Sequence, residues 1–309
     1  MEAPCRPEDR RRERARVHGR TVVTLRAGFI GLGNQGKPLA ANLVAAGLET
    51  TVYDLADAPL AELAALGARA ASSPRDVGTT SDVIGICVPE DEHVRAVLLG
   101  DDGVLAGAAS GSIIAIHSSI LPETATALAA EAAPRGIDVL DACVTGGAAR
   151  AEQKQMTYLV GGDAKVLSRA QPVFETSAVK VIHAGPLGSG AKLKLCINLL
   201  TYIQWAAAYE SYHLAKAVGL PEGVFEAAGT SNGQITPLMQ SYLGTHKIPE
   251  EARTSDAVQT LMLGHTKIAE KDLAWALQLA RKAGVSLPVG SLVSQLMARL
   301  YGVENSARR

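Results

Sequence analysis

Ala27-Gly28-Phe29-Ile30-Gly31-Leu32-Gly33-Asn34-Gln35-Gly36 decides the fold. An apolar run, TLRAGFI over 24–30, feeds three glycines in G-x-G-x-x-G spacing, and a helical stretch near 34–46 follows. Gly31 permits a tight turn, Gly33 leaves the backbone bare enough for a pyrophosphate to approach, and Gly36 lets the helix pack close to its strand. The helix start then offers free N–H groups and a positive dipole end to phosphates. The spacing alone is a weak signal, but here a strand precedes it, a helix follows it, and Asp54 stands at the end of the next apolar run. Asp54 lies 18 residues beyond Gly36, where a carboxylate binds both ribose hydroxyls of an adenosine or is simply a solvated strand end. No Arg follows closely to grip a 2′-phosphate, so NAD is expected, with NADP still possible. The expected cradle is Gly31, Leu32, Gly33, Asn34, Gln35, Gly36 and Asp54.

Outward from this turn the pattern alternates. Apolar runs at 49–54, 81–88, 111–117 and 137–142 are separated by helical candidates near 58–66, 91–99 and 122–133. Such alternation predicts an α/β, Rossmann-type doubly wound sheet, mainly parallel and covered on both faces. MTYLVGG (156–162) and AVKVIHAG (178–185) are placed to extend it. After Gly188 the texture becomes helical: one long helix over 189–218, a short one over 221–230 starting at Pro221, and two more over 262–283 and 288–301. The expected organisation is a basic tail over 1–23, an NAD-binding domain over 24–185 and an all-helical substrate and oligomerisation domain over 186–309.

The bulk numbers exclude several classes. With 47% hydrophobic and 20% charged residues, the 309-residue chain can build an ordinary globular core. A net charge of -1 gives no case for nucleic acid. Cys5, Cys87, Cys143 and Cys196 are scattered without a C-x-x-C pair, so no zinc site or disulfide framework is indicated, and reduced thiols in the cytoplasm fit best. No apolar run approaches the roughly 20 residues that span a bilayer, and no histidines stand at metal-binding spacing. Residues 1–20 carry seven Arg against four acids, with no apolar stretch behind them to make a secretory signal. A disordered tail, or a start placed too early, is expected there in preference to a nucleic-acid arm.

Two segments carry chemistry. Gly188-Ser189-Gly190-Ala191-Lys192-Leu193-Lys194-Leu195-Cys196-Ile197-Asn198 opens the long helix. Lys194 and Asn198 are four apart and share a helical face, near a dipole end that lowers an ammonium pKa. A lysine so placed can take a hydroxyl proton; the plainer alternative is a solvated lysine. Asp141-Ala142-Cys143-Val144-Thr145-Gly146-Gly147 ends an apolar run in a turn that can offer a hydroxyl and two backbone N–H groups to a carboxylate, or is an ordinary glycine turn.

These segments together resemble the β-hydroxyacid dehydrogenases, the group that includes 3-hydroxyisobutyrate dehydrogenase and tartronate semialdehyde reductase. GFIGLGNQG resembles the family's GFIGLGxMG opening, CVPEDEHV its strand-end Val/Leu-Pro segment, HSSILP its DxSTxxP and DACVTGG its DAPVSGG. GSGAKLKLCIN resembles its GxGxxxKxxxN, and Glu270-Lys271-Asp272-Leu273 its KDL. The resemblance spans about 27–303. It implies Lys194 as catalytic acid/base, with Asn198 orienting substrate. It implies Ser118, Thr145, Gly146 and Gly147 at the substrate carboxylate. Val88, Pro89, His93 and Ser119 would flank the nicotinamide, and Lys271 would reach the cofactor from the helical domain. The implied reaction is reversible oxidation of a 3-hydroxyacid by a homodimer or homotetramer. Six positions depart from the family pattern: Gln35 stands for Met, His117 for Asp, Ser119 for Thr, Cys143 for Pro, Thr145 for Ser and Lys154 for Gly. An imine reductase shares this plan but usually carries Asp or Tyr at the Lys194 position. A catalytically silent dinucleotide-binding protein would have no need of Lys194.

Overall fold

The computed structural model describes residues 25–303, so the expectation for the basic tail lies outside the described residues. An eight-stranded sheet runs in the order β3-β2-β1-β4-β5-β6-β7-β8. Its strands are β1 (Arg26–Ile30), β2 (Glu49–Tyr53), β3 (Arg69–Ala70), β4 (Val83–Ile86), β5 (Ile113–Ile116), β6 (Asp138–Thr145), β7 (Met156–Gly161) and β8 (Ala178–Gly185). The first six are parallel; β7 runs antiparallel to β6 and parallel to β8. Every residue of β4 and β5 is buried, as strands covered on both faces require. Phe29, Leu39, Val52, Ala115 and Tyr158 belong to the core on one face; Ile30, Ile84, Ile86, Ile114 and Ile116 belong to the core on the other.

The connecting helices are α1 (Gly36–Ala45), α2 (Asp57–Ala65), α3 (Pro74–Thr80), α4 (Asp91–Leu99), α5 (Val104–Gly107), α6 (Pro122–Ala132), α7 (Gly147–Glu152) and α8 (Ala164–Phe174). Then α9 (Ser189–Ala217) begins the helical part, followed by α10 (Val224–Ser231), α11 (Pro237–Thr245), α12 (Glu250–Arg253), α13 (Asp256–Lys282) and α14 (Pro288–Leu300). The helix expected from Pro221 begins later, at Val224, because Gly223 takes φ 82 and holds the preceding turn out of the helix. Thr230-Ser231-Asn232-Gly233 is the C-terminal turn of α10, with Gly233 at φ 77.

The start of α9 joins the two halves. Gly190 lies so close to the sheet that a Cβ there would strike the Asp141 and Leu159 carbonyls. Further along, α9 buries Tyr202 and Ala206 against Ala269 and Leu273 of α13 and Val293 and Met297 of α14. Among the described residues, no helix is long and apolar enough to cross a membrane.

Candidate active site

The glycine turn has the shape the sequence implies. Gly31 sits at φ +90 and donates its N–H to the Tyr53 carbonyl at 3.0 Å. A side chain on Gly31 would run into the Cys87 carbonyl, and one on Gly36 into the Gly31 carbonyl. A Cβ on Gly33, in contrast, would meet nothing within 4 Å, so this backbone faces open space. No side chain caps α1 and its first turn holds no acid, which leaves helix-start N–H groups for an anion. Asp54 Oδ2 accepts the Leu32 N–H at 2.5 Å, and Oδ1 accepts the Ala56 N–H at 2.8 Å. A carboxylate has lone pairs beyond these two bonds. Leu55, the next residue, is 91% exposed. An open Gly33, an uncapped helix start and a carboxylate at the rim fit a dinucleotide.

Two strand-end loops face the turn. Ser118 Oγ accepts the Val88 N–H at 2.8 Å and is itself buried, so this hydroxyl ties the loop after β4 to the loop after β5. Cys143 Sγ donates to the Ser118 carbonyl at 3.4 Å, and burial pushes its thiol up to about 12. His93 is exposed on α4. His117 faces inward: it lies 2.8 Å from the Ala142 carbonyl through Nδ1 and stacks on Phe29 at 5.6 Å, and burial lowers its pKa to about 4. It is a neutral core residue.

The Thr145-Gly146-Gly147 turn lies at the end of β6. Gly146 has φ 138 and Gly147 φ 77, backbone that favours glycine. Arg150 packs along Gly146 and donates from Nε to the Gln155 carbonyl at 3.0 Å. Lys154, where the resembled family has Gly, holds the left-handed φ 58 that a glycine would take.

Lys194 stands where these parts meet α13. Its helix is anchored by Asp141, whose buried carboxylate accepts the Gly188 N–H at 2.8 Å and the Ala191 N–H at 2.7 Å. Burial raises the Asp141 pKa, and those N–H groups at the helix start partly offset this. Lys194 is partly buried; burial lowers its pKa, while Asp272, Cys143 and Cys87 act in the opposite sense. One turn on, Asn198 Nδ2 donates to Asp272 Oδ2 at 2.6 Å, and the Tyr202 hydroxyl approaches the same oxygen at 3.4 Å. Asp272 Oδ1 is buried without a hydrogen bond, 3.8 Å from Lys271 Nζ. Burial raises the Asp272 pKa, and Lys271 and Lys194 pull it back. Lys271 Nζ itself donates to the Pro89 carbonyl at 2.8 Å and the Ser119 carbonyl at 3.4 Å, with the Trp275 ring 4.5 Å away.

The structure therefore gathers Lys194, Asn198 and Lys271 with Val88, Pro89, Ser118 and Ser119. The roles of Asp141 and Asp272 were not legible in the sequence, although both stand inside the DACVTGG and EKDL segments. Asp141 lies 47 residues before the Gly188 N–H it accepts, so the pairing leaves no local signal; the acid beside Lys271 was the signal that could have been used. Among the described residues, no three His, Cys, Asp or Glu side chains gather as metal ligands.

The fold and this site define a nicotinamide-dinucleotide oxidoreductase. Residues 26–185 match the family profile described as the NAD-binding domain of 6-phosphogluconate dehydrogenase. Residues 188–307 match that described as NAD-binding of NADP-dependent 3-hydroxyisobutyrate dehydrogenase. An NAD-dependent L-serine dehydrogenase of Pseudomonas aeruginosa is 35% identical, over 87% of this chain and 89% of its own. A 3-hydroxyisobutyrate dehydrogenase of the same organism is 33% identical, over 87% and 90%. The solved Mycobacterium tuberculosis 3-hydroxyisobutyrate dehydrogenase with L-serine is 29% identical, with TM-score 0.74 over 91% of this chain and 94% of that one. The chain belongs to the 3-hydroxyisobutyrate dehydrogenase family of NAD(P)-dependent hydroxyacid dehydrogenases.

Proposed function

We propose that this chain oxidises a small 3-hydroxyacid to its semialdehyde or oxo form, with NAD as the preferred cofactor and Lys194 as acid/base. The observation that carries this reading is Lys194 itself. Burial favours its neutral amine, and it lies on one helix face with Asn198 at the junction of the strand-end loops and α13. When bound, NAD accepts the hydride from the alcohol carbon. Lys194 Nζ takes the proton from the hydroxyl oxygen as the carbonyl forms, and returns it in the reverse direction. Asn198 has a second amide N–H and its Oδ1 left for the same oxygen, because only one N–H goes to Asp272. Asp272 balances the charge that Lys194 gains. Thr145, Gly146 and Gly147 hold the carboxylate, with Ser118 setting the loop beside it.

The cofactor residues are the 31–36 turn, Asp54, Val88, Pro89, His93, Ser119 and Lys271, with the domain boundary at 185/186. The working form is a cytoplasmic homodimer or homotetramer. L-serine and 3-hydroxyisobutyrate, named for the two Pseudomonas relatives, are both 3-hydroxyacids and are the first candidates. The test is a panel of 3-hydroxyisobutyrate, serine, glycerate and 3-hydroxypropionate with NAD or NADP, read by absorbance of the reduced cofactor. Turnover of at least one acid, faster with NAD, is expected. Flat traces throughout would reject the reading.

A further inference from the structure

A cavity of about 680 Å³ opens in the helical half, away from the residues above. Its walls are the last turns of α9, the start of α10, the segment joining α11 to α12, and the end of α14. Tyr209 and Lys216, both on its wall, lie 15 and 22 residues beyond Lys194 on the same helix. At the α-helical rise this is about 22 to 33 Å, too far to share a substrate. The volume suits a small organic molecule.

The lining is aromatic and unevenly charged. Tyr209, Tyr212 and Phe225 contribute rings, and His213 and His246 lie 4.3 and 5.1 Å from Tyr209. Of the acids, Glu226 pairs with Lys247 at 2.7 Å, and Glu222 acts on that same lysine. Glu250 is exposed at the start of α12. Lys216, Arg253 and Arg299 form no ion pair among the described residues; Arg299 lies 5.8 Å over the Tyr209 ring. Their field reaches the imidazoles. Burial lowers the His213 pKa, and Lys216 and Arg299 lower it further; burial brings His246 to about 4, with His213 and Arg253 adding to the effect. Three cations lining a ring-walled cavity raise its potential, and an anion entering it gains from them.

We propose that this cavity is a second binding site, for a small organic anion that carries an aromatic ring. The guanidinium groups of Arg253 and Arg299 present forked donors suited to a carboxylate or phosphate. Lys216 adds a point charge, and the tyrosine and phenylalanine faces take the ring. An aromatic acid and a nucleoside monophosphate share this chemistry. The site is independent of the hydroxyacid reading.

The test is calorimetric titration of the full chain, saturated with NAD so that the dinucleotide turn is filled, with 4-hydroxybenzoate and separately with AMP. At least one is expected to bind, and which one binds identifies the source of the anion. A Lys216→Glu/Arg299→Glu double variant, altered only at exposed side chains, should weaken that binding by about tenfold or more while leaving turnover within about twofold. Lys194→Ala should bind the anion normally, which separates this site from the catalytic one. Binding of neither probe at millimolar concentration overturns the proposal, as does equal binding by the double variant. So does a shift of the double variant from dimer to monomer in sedimentation without added anion, since that assigns the face to a second copy.

Discussion

Lys194 and Asp272 are best understood as one device. Each is pushed by burial toward its neutral form; the Asp272 charge pulls Lys194 back, and Lys271 and then Lys194 pull Asp272 back. The acid/base role proposed for Lys194 needs such a balance, in which neither protonation state is held exclusively. His117 shows the opposite use of burial. Its pKa falls to about 4 from an ordinary value of about 6.5, so the folded state excludes a proton that the unfolded chain binds. The stability it contributes is present above about pH 6.5 and is lost as pH falls toward 4, to a total of about 3 kcal/mol. Urea unfolding between pH 7 and 4 should show this slope. His117→Phe, which keeps the stack on Phe29 but cannot titrate, should reduce the slope by the His117 share and leave that of His246, whose pKa burial also lowers to about 4; an unchanged slope would show that His117 is not a titrating group.

At the scale of elements, α9 is placed by one carboxylate. Asp141 holds the first N–H groups of a 29-residue helix, and so sets where Lys194 falls relative to the strand ends. Asp141→Ala would orphan two buried donors, with an expected loss of at least about 2 kcal/mol and lower kcat through misplacement of Lys194. Chemical unfolding and steady-state kinetics check both; a variant of unchanged stability would mean that Gly190 packing alone seats the helix. The strands and long helices were legible because burial on both faces and 3.6-residue periodicity write themselves locally. TLRAGFI, GSIIAIH and the 189–218 stretch became β1, β5 and α9 nearly at the expected limits. What was illegible was local structure without a pattern. β3 has two residues, both exposed, and α11 (Pro237–Thr245) is only nine residues long with Gly244 in its last turn. The antiparallel turn of β7 against β6 depends on α7 being a single short helix, which apolar periodicity does not encode. In the site, the motif residues were legible as a set, whereas the bonds among them, Asn198 to Asp272 above all, join residues 74 apart in sequence.

At the scale of the whole molecule, the two halves meet through α9 and through Lys271. From α13, Lys271 bonds the carbonyls of Pro89 and Ser119, closing the helical part onto both strand-end loops beside the glycine turn. The clasp should therefore affect cofactor binding at a distance from the chemistry. Lys271→Ala is expected to weaken NAD binding about tenfold, the scale of one charged hydrogen bond, when followed by quenching of tryptophan fluorescence. Unaltered affinity would confine Lys271 to packing on Trp275. If the dinucleotide turn binds NAD and Lys194 transfers the proton, the two functions are separable. The most direct measurement is Lys194→Ala assayed for NAD affinity and for turnover of the best acid across pH. Normal NAD affinity and turnover reduced at least ~100-fold are expected, with the wild-type oxidation rate rising with pH to a plateau that the variant lacks. Near-normal turnover with the same pH profile would contradict the role proposed for Lys194.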